Sequence, residues 1–384
     1  MIDAARTYHD GTAKQWSGLV LYFSRWASLA RWAQVGHLNR EVEYYRQLGQ
    51  ALGGVTWVTH GAEEDLKIAE DLKGIHVFSN VDRLPDRQYA AKVGREIHQN
   101  RASLRVLKTN QLSGAYEASL ACRGTGIPFI LRCGNVRNYW IYQPKGIPKI
   151  AEWLRLQKAL KAARAIIVPT EEEATYARRR FLIPRSKIRI LPNFVQTDLF
   201  RPAAMAKQKG LLGFVGSLKP AKNLQALVRA AAGLPDVRLR LIGEGREKKM
   251  LAGLADDLSV PIEFVPYQSN EVLPRHLNEC EIFVFPSLRE GHPKALIEAM
   301  ACGLPVVTTP VYGIRRLISH RVNGYLCAGT SVEAIRKGIT DVLKDEPLRK
   351  AMGLMARKFV VDHFDMPVIL EKELQIYREL NCLV

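Results

Sequence analysis

Residues Glu281 to Pro310 read EIFVFPSLREGHPKALIEAMACGLPVVTTP. Ile282 to Phe285 is a short apolar, β-branched and aromatic run closed by Pro286 and Ser287, the pattern of a buried strand that ends in a turn. Glu290-Gly291-His292 follows as a loop, and Pro293 suits the first position of a helix, where a missing N–H is no loss. The helix continues through Lys294, Ala295, Leu296, Ile297, Glu298, Ala299 and Met300, then stops at Gly303-Leu304-Pro305. Val306 and Val307 open the next strand. Strand, loop, helix and strand in so short a stretch make a βαβ unit, which implies a parallel sheet.

The same alternation runs outward in both directions. On the N-terminal side, strands are expected at 18–24, 55–59, 75–79, 104–107, 128–132 and 165–168, with helical patterns at 36–49, 150–163 and 170–181. Residues 203–210 are a polar, strandless linker. A second series of strands follows at 211–215, 237–242, 262–265, 282–285, 305–308 and 325–327, and a last helix at 368–380. Residues 1–17 read as a loose leader. Alternating strands and helices predict an α/β protein with doubly wound, mostly parallel sheets, and 384 residues exceed one compact core, so two domains are expected.

Open sheets of this kind bind ligands at the carboxyl ends of their strands. Glu290 sits at such an end, and Glu298 lies about 7.5 Å further along the helix at 1.5 Å per residue. Between them the free N–H groups of the first helical turn form a corner for an anion or a hydroxyl. Set in the string PS-x-x-EG-x-P-x-x-x-x-EAMA-x-G-x-P-V-V, these two glutamates resemble the signature of the retaining glycosyltransferases of the GT-B fold, the large family-4 (group 1) class. KIRILPNFVQTDLFRP (187–202) is similar to that family's exit from its first domain.

The resemblance implies two Rossmann-like doubly wound domains facing each other across a cleft. Residues 1–203 would form the acceptor-side domain and 204–365 the nucleotide-sugar domain, with 366–384 a helix crossing back to the first. It also implies a retaining, metal-independent enzyme that moves a sugar from a nucleotide-diphosphate donor to an acceptor hydroxyl, in polysaccharide or lipid-linked glycan synthesis. No cofactor is implied beyond the donor. By the same resemblance Glu290 meets the donor sugar, Glu298 the ribose diol, and the amides of Gly291, His292 and Lys294 the sugar or phosphate. In FVGSLKPAKNL (214–224), Gly216 lets the backbone approach the ligand, and Lys222 matches the family's diphosphate lysine. Ser217 stands where an arginine is expected, and Lys219 is the nearest replacement. Gly243 and Glu244 of LIGEGREKK lie near the nucleoside. By the same resemblance Val265 and Tyr267 are candidates to pack the base, beside a Pro266 that replaces the usual glycine. The implied catalytic set is Glu290, Lys222 and Asn110.

The first domain departs further from the pattern. Its glycine-rich loop reads SRWASLARWAQVGHLNRE, with Gly36 as the single glycine and His37 as an alternative first-domain histidine. After the fourth strand LKTNQLSG (107–114) carries no histidine, leaving Asn110 or Gln111 as hydroxyl contacts. Arg132 is an acceptor-side or phosphate candidate, and both it and Lys108 equally suit a structural role. GIRRLI (313–318) puts Arg315 and Arg316 where the family is acidic, facing a phosphate or only solvent.

The net charge is +18, and residues 101–189 hold 18 Lys and Arg against 5 Asp and Glu. Such a face attracts an anionic membrane, a lipid-diphosphate acceptor or nucleic acid, or is simply a solvated surface. Tyr139, Trp140, Tyr142 and Trp153 near Arg137, Lys145 and Arg155 suit either an interfacial patch or base stacking. A nucleic-acid-binding protein and a GT-B nucleotide-sugar epimerase or hydrolase are therefore the alternatives to a transferase. No apolar run is long enough to cross a membrane and MIDAARTYHDGTAKQW lacks a signal core. The expectation is a cytoplasmic protein, peripheral on the inner face of the membrane. Six cysteines without CxxC spacing read as reduced and buried, with no metal site.

Overall fold

The computed structural model describes residues 16–141 and 146–383, apart from residues 26, 35 and 37. The readings placed on residues 1–15, His37, Tyr142, Lys145 and the side chain of Trp140 lie outside the described residues. Trp16 does not belong to a loose leader: it is buried with its ring 5.1 Å from that of Phe78, and Ser103 donates to its carbonyl.

The first domain holds β1 (Gly18–Tyr22), β2 (Val55–Val58), β3 (His76–Phe78), β4 (Leu104–Thr109), β5 (Phe129–Arg132), β6 (Ala165–Val168) and β7 (Ile188–Ile190). Its helices are α1 (Leu29–Gln34), α2 (Leu38–Leu52), α3 (Glu63–Ala69), α4 (Asp86–Gln99), α5 (Ala115–Ala121), α6 (Val136–Ile141), α7 (Ile147–Ala162) and α8 (Glu171–Phe181). The second holds β8 (Leu211–Val215), β9 (Arg238–Ile242), β10 (Ile262–Val265), β11 (Ile282–Phe285), β12 (Val306–Thr308) and β13 (Tyr325–Leu326). Its helices are α9 (Leu224–Ala231), α10 (Lys248–Asp257), α11 (Leu273–Glu279), α12 (Lys294–Ala301), α13 (Val332–Lys344) and α14 (Glu346–Phe364), followed by α15 (Met366–Glu379).

Strand order is β3-β2-β1-β4-β5-β6-β7 in one sheet and β10-β9-β8-β11-β12-β13 in the other, with every pairing parallel. Both orders reverse beside their first strand, so each sheet has a switch point where loops diverge and leave a crevice. Central strands such as β1, β2, β6 and β11 are buried on both faces, which is why they read as continuous apolar runs rather than alternating ones. One apolar cluster runs from the first sheet through Phe194, Val195 and Phe200 into the second domain; another fills the opposite face of the first sheet.

Several boundaries move. β1 ends at Tyr22, β4 runs on to Thr109, α2 spans Leu38–Leu52, α7 begins at Ile147 and α15 at Met366. Pro293 is the N-cap of α12 rather than its first residue. β7 was not foreseen, because Ile188–Ile190 carries only two apolar residues and gains its strand character by pairing with β6. Helix α15 packs on α2. Lys108 on β4 is structural: it is fully buried and pairs with Glu373 of α15, which also accepts from the Tyr44 and Tyr377 hydroxyls. All six cysteines are buried and unpaired.

Candidate active site

The carboxyl ends of the two sheets face each other across a cleft of about 500 Å³. The end of β5 and the loops after β1, β4, β5 and β7 bring Ser24, Asn110, Gln111, Arg132, Gly134, Asn135 and Asn193 to one wall. Loops after β8 and β11 bring Gly216, Lys222, Glu290, Gly291 and His292 to the other. The first turn of α2 adds Arg40 and Glu41, and the first turn of α12 adds Lys294. A larger groove of about 660 Å³ lies between α14 and residues 202–209. Its arginines are already engaged, Arg349 by Glu281 and Arg357 by the Phe200 and Ala301 carbonyls.

The Glu290 loop is held from three sides. Lys222 donates to Glu290 at 2.6 Å. Leu288 donates its N–H to the Ala221 carbonyl, and Asn193 donates to the His292 carbonyl at 2.7 Å from the first domain. Gly313 backs the loop so closely that a Cβ there would stand 1.9 Å from the Gly291 carbonyl oxygen, and its φ of +87° also requires glycine. Asn110 accepts from the Ser24 N–H at 2.7 Å through its side-chain oxygen. That bond fixes the amide group with its two N–H donors free for a ligand.

Four cations, Arg40, Arg132, Lys222 and Lys294, line one cleft. Burial pushes Lys294 below the ordinary lysine range and neighbouring Arg40 adds to this, against the pull of Glu41 at 2.8 Å. Glu41 stays ionised: burial opposes its charge, but Lys294 and Arg40 hold its carboxyl well below the usual range. Glu298 is buried and does not line the cleft. Burial raises its carboxyl, while Arg40 at 3.5 Å and Lys294 pull it back. His292 is buried in the cleft wall with neither ring nitrogen hydrogen bonded. Burial and the nearby charges of Lys294 and Arg132 hold its imidazole neutral down to about 3.

Of the residues singled out in the sequence, the cleft gathers Glu290, Lys222, Gly216, Gly291, His292, Lys294, Asn110 and Arg132. It does not gather Ser217, Gly243, Glu244, Val265, Tyr267 or Glu298. Glu244 pairs with Lys248 at 3.1 Å, Val265 is buried, and Gly36 packs on the Gln268 backbone. Lys219, the nearest replacement for the missing arginine, is exposed and outside the cleft. Arg316 pairs with Glu172 of the first domain. Tyr139 hydrogen bonds to Glu152, and both it and Trp153 pack against the core, which leaves them poor stacking platforms for bases. Sequence reasoning missed Arg40, Glu41 and Asn193. Their signal was a charged first turn on the second helix after β1, and an asparagine just past β7. Among the described residues no group of three or more His, Cys, Asp or Glu is gathered as a metal would need, and no helix is long and apolar enough to cross a membrane.

Known proteins resemble this chain in sequence and in fold. A family model described as glycosyl transferases group 1 matches residues 195–359, and one described as glycosyltransferase family 4 matches residues 42–199. A D-inositol 3-phosphate glycosyltransferase of Mycolicibacterium smegmatis is 31% identical over 54% of this chain and 52% of its own length. The chain spans about half the length of the mycobacterial relatives it matches. An Escherichia coli UDP-Gal:alpha-D-GlcNAc-diphosphoundecaprenol alpha-1,3-galactosyltransferase is 23% identical over 72% of this chain and 75% of its own. In fold, the chain is similar to a Thermosynechococcus elongatus sucrose-phosphate synthase, with TM-score 0.77 and 21% identity over 94% and 99% of the two chains. It is also similar to Anabaena HepE, solved with UDP, with TM-score 0.76 and 17% identity over 95% and 100%. The two matching models, the relatives and the GT-B fold agree: this chain belongs to the group 1 glycosyltransferases.

Proposed function

We propose that the cleft transfers a sugar from a nucleotide-diphosphate donor to an acceptor hydroxyl with retention of configuration and without a metal. The observation that carries this reading is the convergence of Lys222, Lys294, Arg132 and the Glu290 loop where both sheets present their strand ends. Charge develops on the leaving diphosphate as the glycosidic bond breaks, and fixed cations in a partly dry cleft stabilise it without reorganising. Lys222 and Lys294 supply that charge from the second domain, and Arg132 from the first. Glu290 turns from Lys222 to the hydroxyls of the donor sugar once the diphosphate engages the lysine. The free N–H donors of Asn110 meet the sugar from the opposite wall, and the neutral His292 offers one donor and one acceptor beside it. The acceptor hydroxyl enters on the same face as the departing phosphate, which can take its proton.

Donor chemistry is read from fold neighbours and relatives. HepE was solved with UDP-glucose, and the name of the Escherichia coli relative includes UDP-Gal and a diphosphoundecaprenol acceptor. A uridine nucleotide and a lipid-diphosphate acceptor are therefore the first to test. A membrane-side acceptor fits the outer face of α7, where Ile147, Ile150 and Leu154 are 81%, 61% and 50% exposed beside Arg155, Lys158 and Lys161. Such a face lies on an anionic membrane surface by burying its apolar stripe and pairing its cations with headgroups. Incubation with UDP-, GDP- and ADP-sugars, with and without chelator, tests the reading. It predicts acceptor-dependent release of one nucleoside diphosphate that chelator does not stop. An epimerised sugar formed without acceptor would favour the epimerase instead, and no turnover of any donor would overturn the reading.

A further inference from the structure

The first turn of α2 is built into the second domain. A Cβ on Gly36 would stand 2.6 Å from the Gln268 carbonyl oxygen. Asn39 donates to Glu271 at 2.7 Å. Glu41 accepts from Lys294 at 2.8 Å, and Arg40 lies 3.2 Å from Glu41 and 3.5 Å from Glu298. Two cations and two anions thus form a neutral quartet across the cleft. Arg40, Glu41 and Glu298 are buried, and Lys294 is half-buried.

We propose that Arg40 is an exchangeable cover on Glu298, holding its carboxylate while the cleft is empty and yielding it to the ribose diol of an entering nucleotide. The inference rests on reading the cleft as a nucleotide-sugar site. A buried carboxylate needs a partner, and at 3.5 Å Arg40 provides a loose one. A vicinal diol brings two O–H donors that fit the two carboxylate oxygens. When displaced, Arg40 keeps Glu41 as its partner and remains in the cleft wall, so the exchange strands no charge. Because the covered state must open before the nucleotide seats, Arg40 lowers the apparent affinity and acts as a positioning residue.

Calorimetric titration with UDP, GDP and ADP, together with thermal unfolding of the empty protein, tests the exchange. In Arg40→Met the empty protein is expected to melt lower, because Glu298 loses a partner. The same variant is expected to bind the accepted nucleoside diphosphate about threefold or more tightly. A merely structural arginine would lower both. Arg40→Lys is expected between wild type and Arg40→Met in affinity, and adding Arg40→Met to Glu298→Gln should change affinity no further. Affinity of folded Arg40→Met equal to or weaker than wild type would overturn the exchange. If Arg40→Met does not fold, wild-type affinity in Arg40→Lys would overturn it. A wild-type protein that binds none of the three nucleotides would remove the donor-site reading, and this inference with it.

Discussion

His292 is packed edge-on against Phe364, 4.9 Å between ring centroids, with both nitrogens unpaired in the cleft wall. Its imidazole refuses a proton until about 3, whereas the unfolded chain takes one near 6.5. Protons therefore bind the unfolded state first, and the protein loses stability as pH falls from about 6.5 towards about 3. Denaturant melts across that range should be steeper in pH for wild type than for His292→Gln; equal slopes would show that the ring titrates freely. The same neutrality predicts no contribution from His292 to the pH–rate profile between about 5 and 8. Glu290 and Lys222 were legible as residues because each stands in a dense local string. Their contact at 2.6 Å was not, since 68 residues separate them and the fold alone brings β8 and β11 side by side.

Helix α15 shows how a single element fixes the approach of the two domains. Its Glu373 is fully buried and reaches Lys108 in the middle of the first sheet. Removing one partner of a buried pair leaves an uncompensated charge, so Glu373→Ala should cost about 3–5 kcal/mol. Replacing both, as Lys108→Met with Glu373→Leu, should recover most of that loss in the same denaturant titration. Helix α7 carries the membrane proposal. The triple variant Ile147→Asp, Ile150→Asp, Leu154→Asp should no longer float with anionic vesicles, whereas wild type floats with anionic and not with neutral ones. Wild type absent from both would remove the proposal.

Elements such as α12 were readable because a short stretch contains its own stop signals. α12 ends at Ala301 with Cys302 as its C-cap, Gly303 follows with a φ of +70°, and Leu304-Pro305 come next. β7 depends on pairing from elsewhere in the chain, which no local pattern encodes, whereas the start of α7 carries a local signal in its Gly146 N-cap and the proline of its first turn.

At the level of the whole molecule, the alternation of strands and helices was enough to expect two parallel sheets, and two are present that share one order over six strands, the first with a seventh at its edge. The division of labour across the cleft was harder to read. Much of the second-domain wall sits in one contiguous βαβ unit, so Glu290 and Lys294 appear together in the sequence. The facing wall is assembled from the ends of four strands and the start of α2, and its members Arg40, Arg132 and Asn193 lie far apart along the chain. Glu298 shows the limit most plainly: its place in the signature was clear, but its cover by Arg40 from the other domain was not. The central claim is that this shared cleft holds a nucleotide diphosphate by its cations. Calorimetric titration of wild type and Lys222→Ala with UDP, GDP and ADP tests it most directly. Wild type should bind one of them, and Lys222→Ala should bind it about ten- to a hundredfold more weakly, as the loss of a charged hydrogen bond of about 1.5–3 kcal/mol requires. Binding of equal strength in the two proteins, or by neither, would contradict the account.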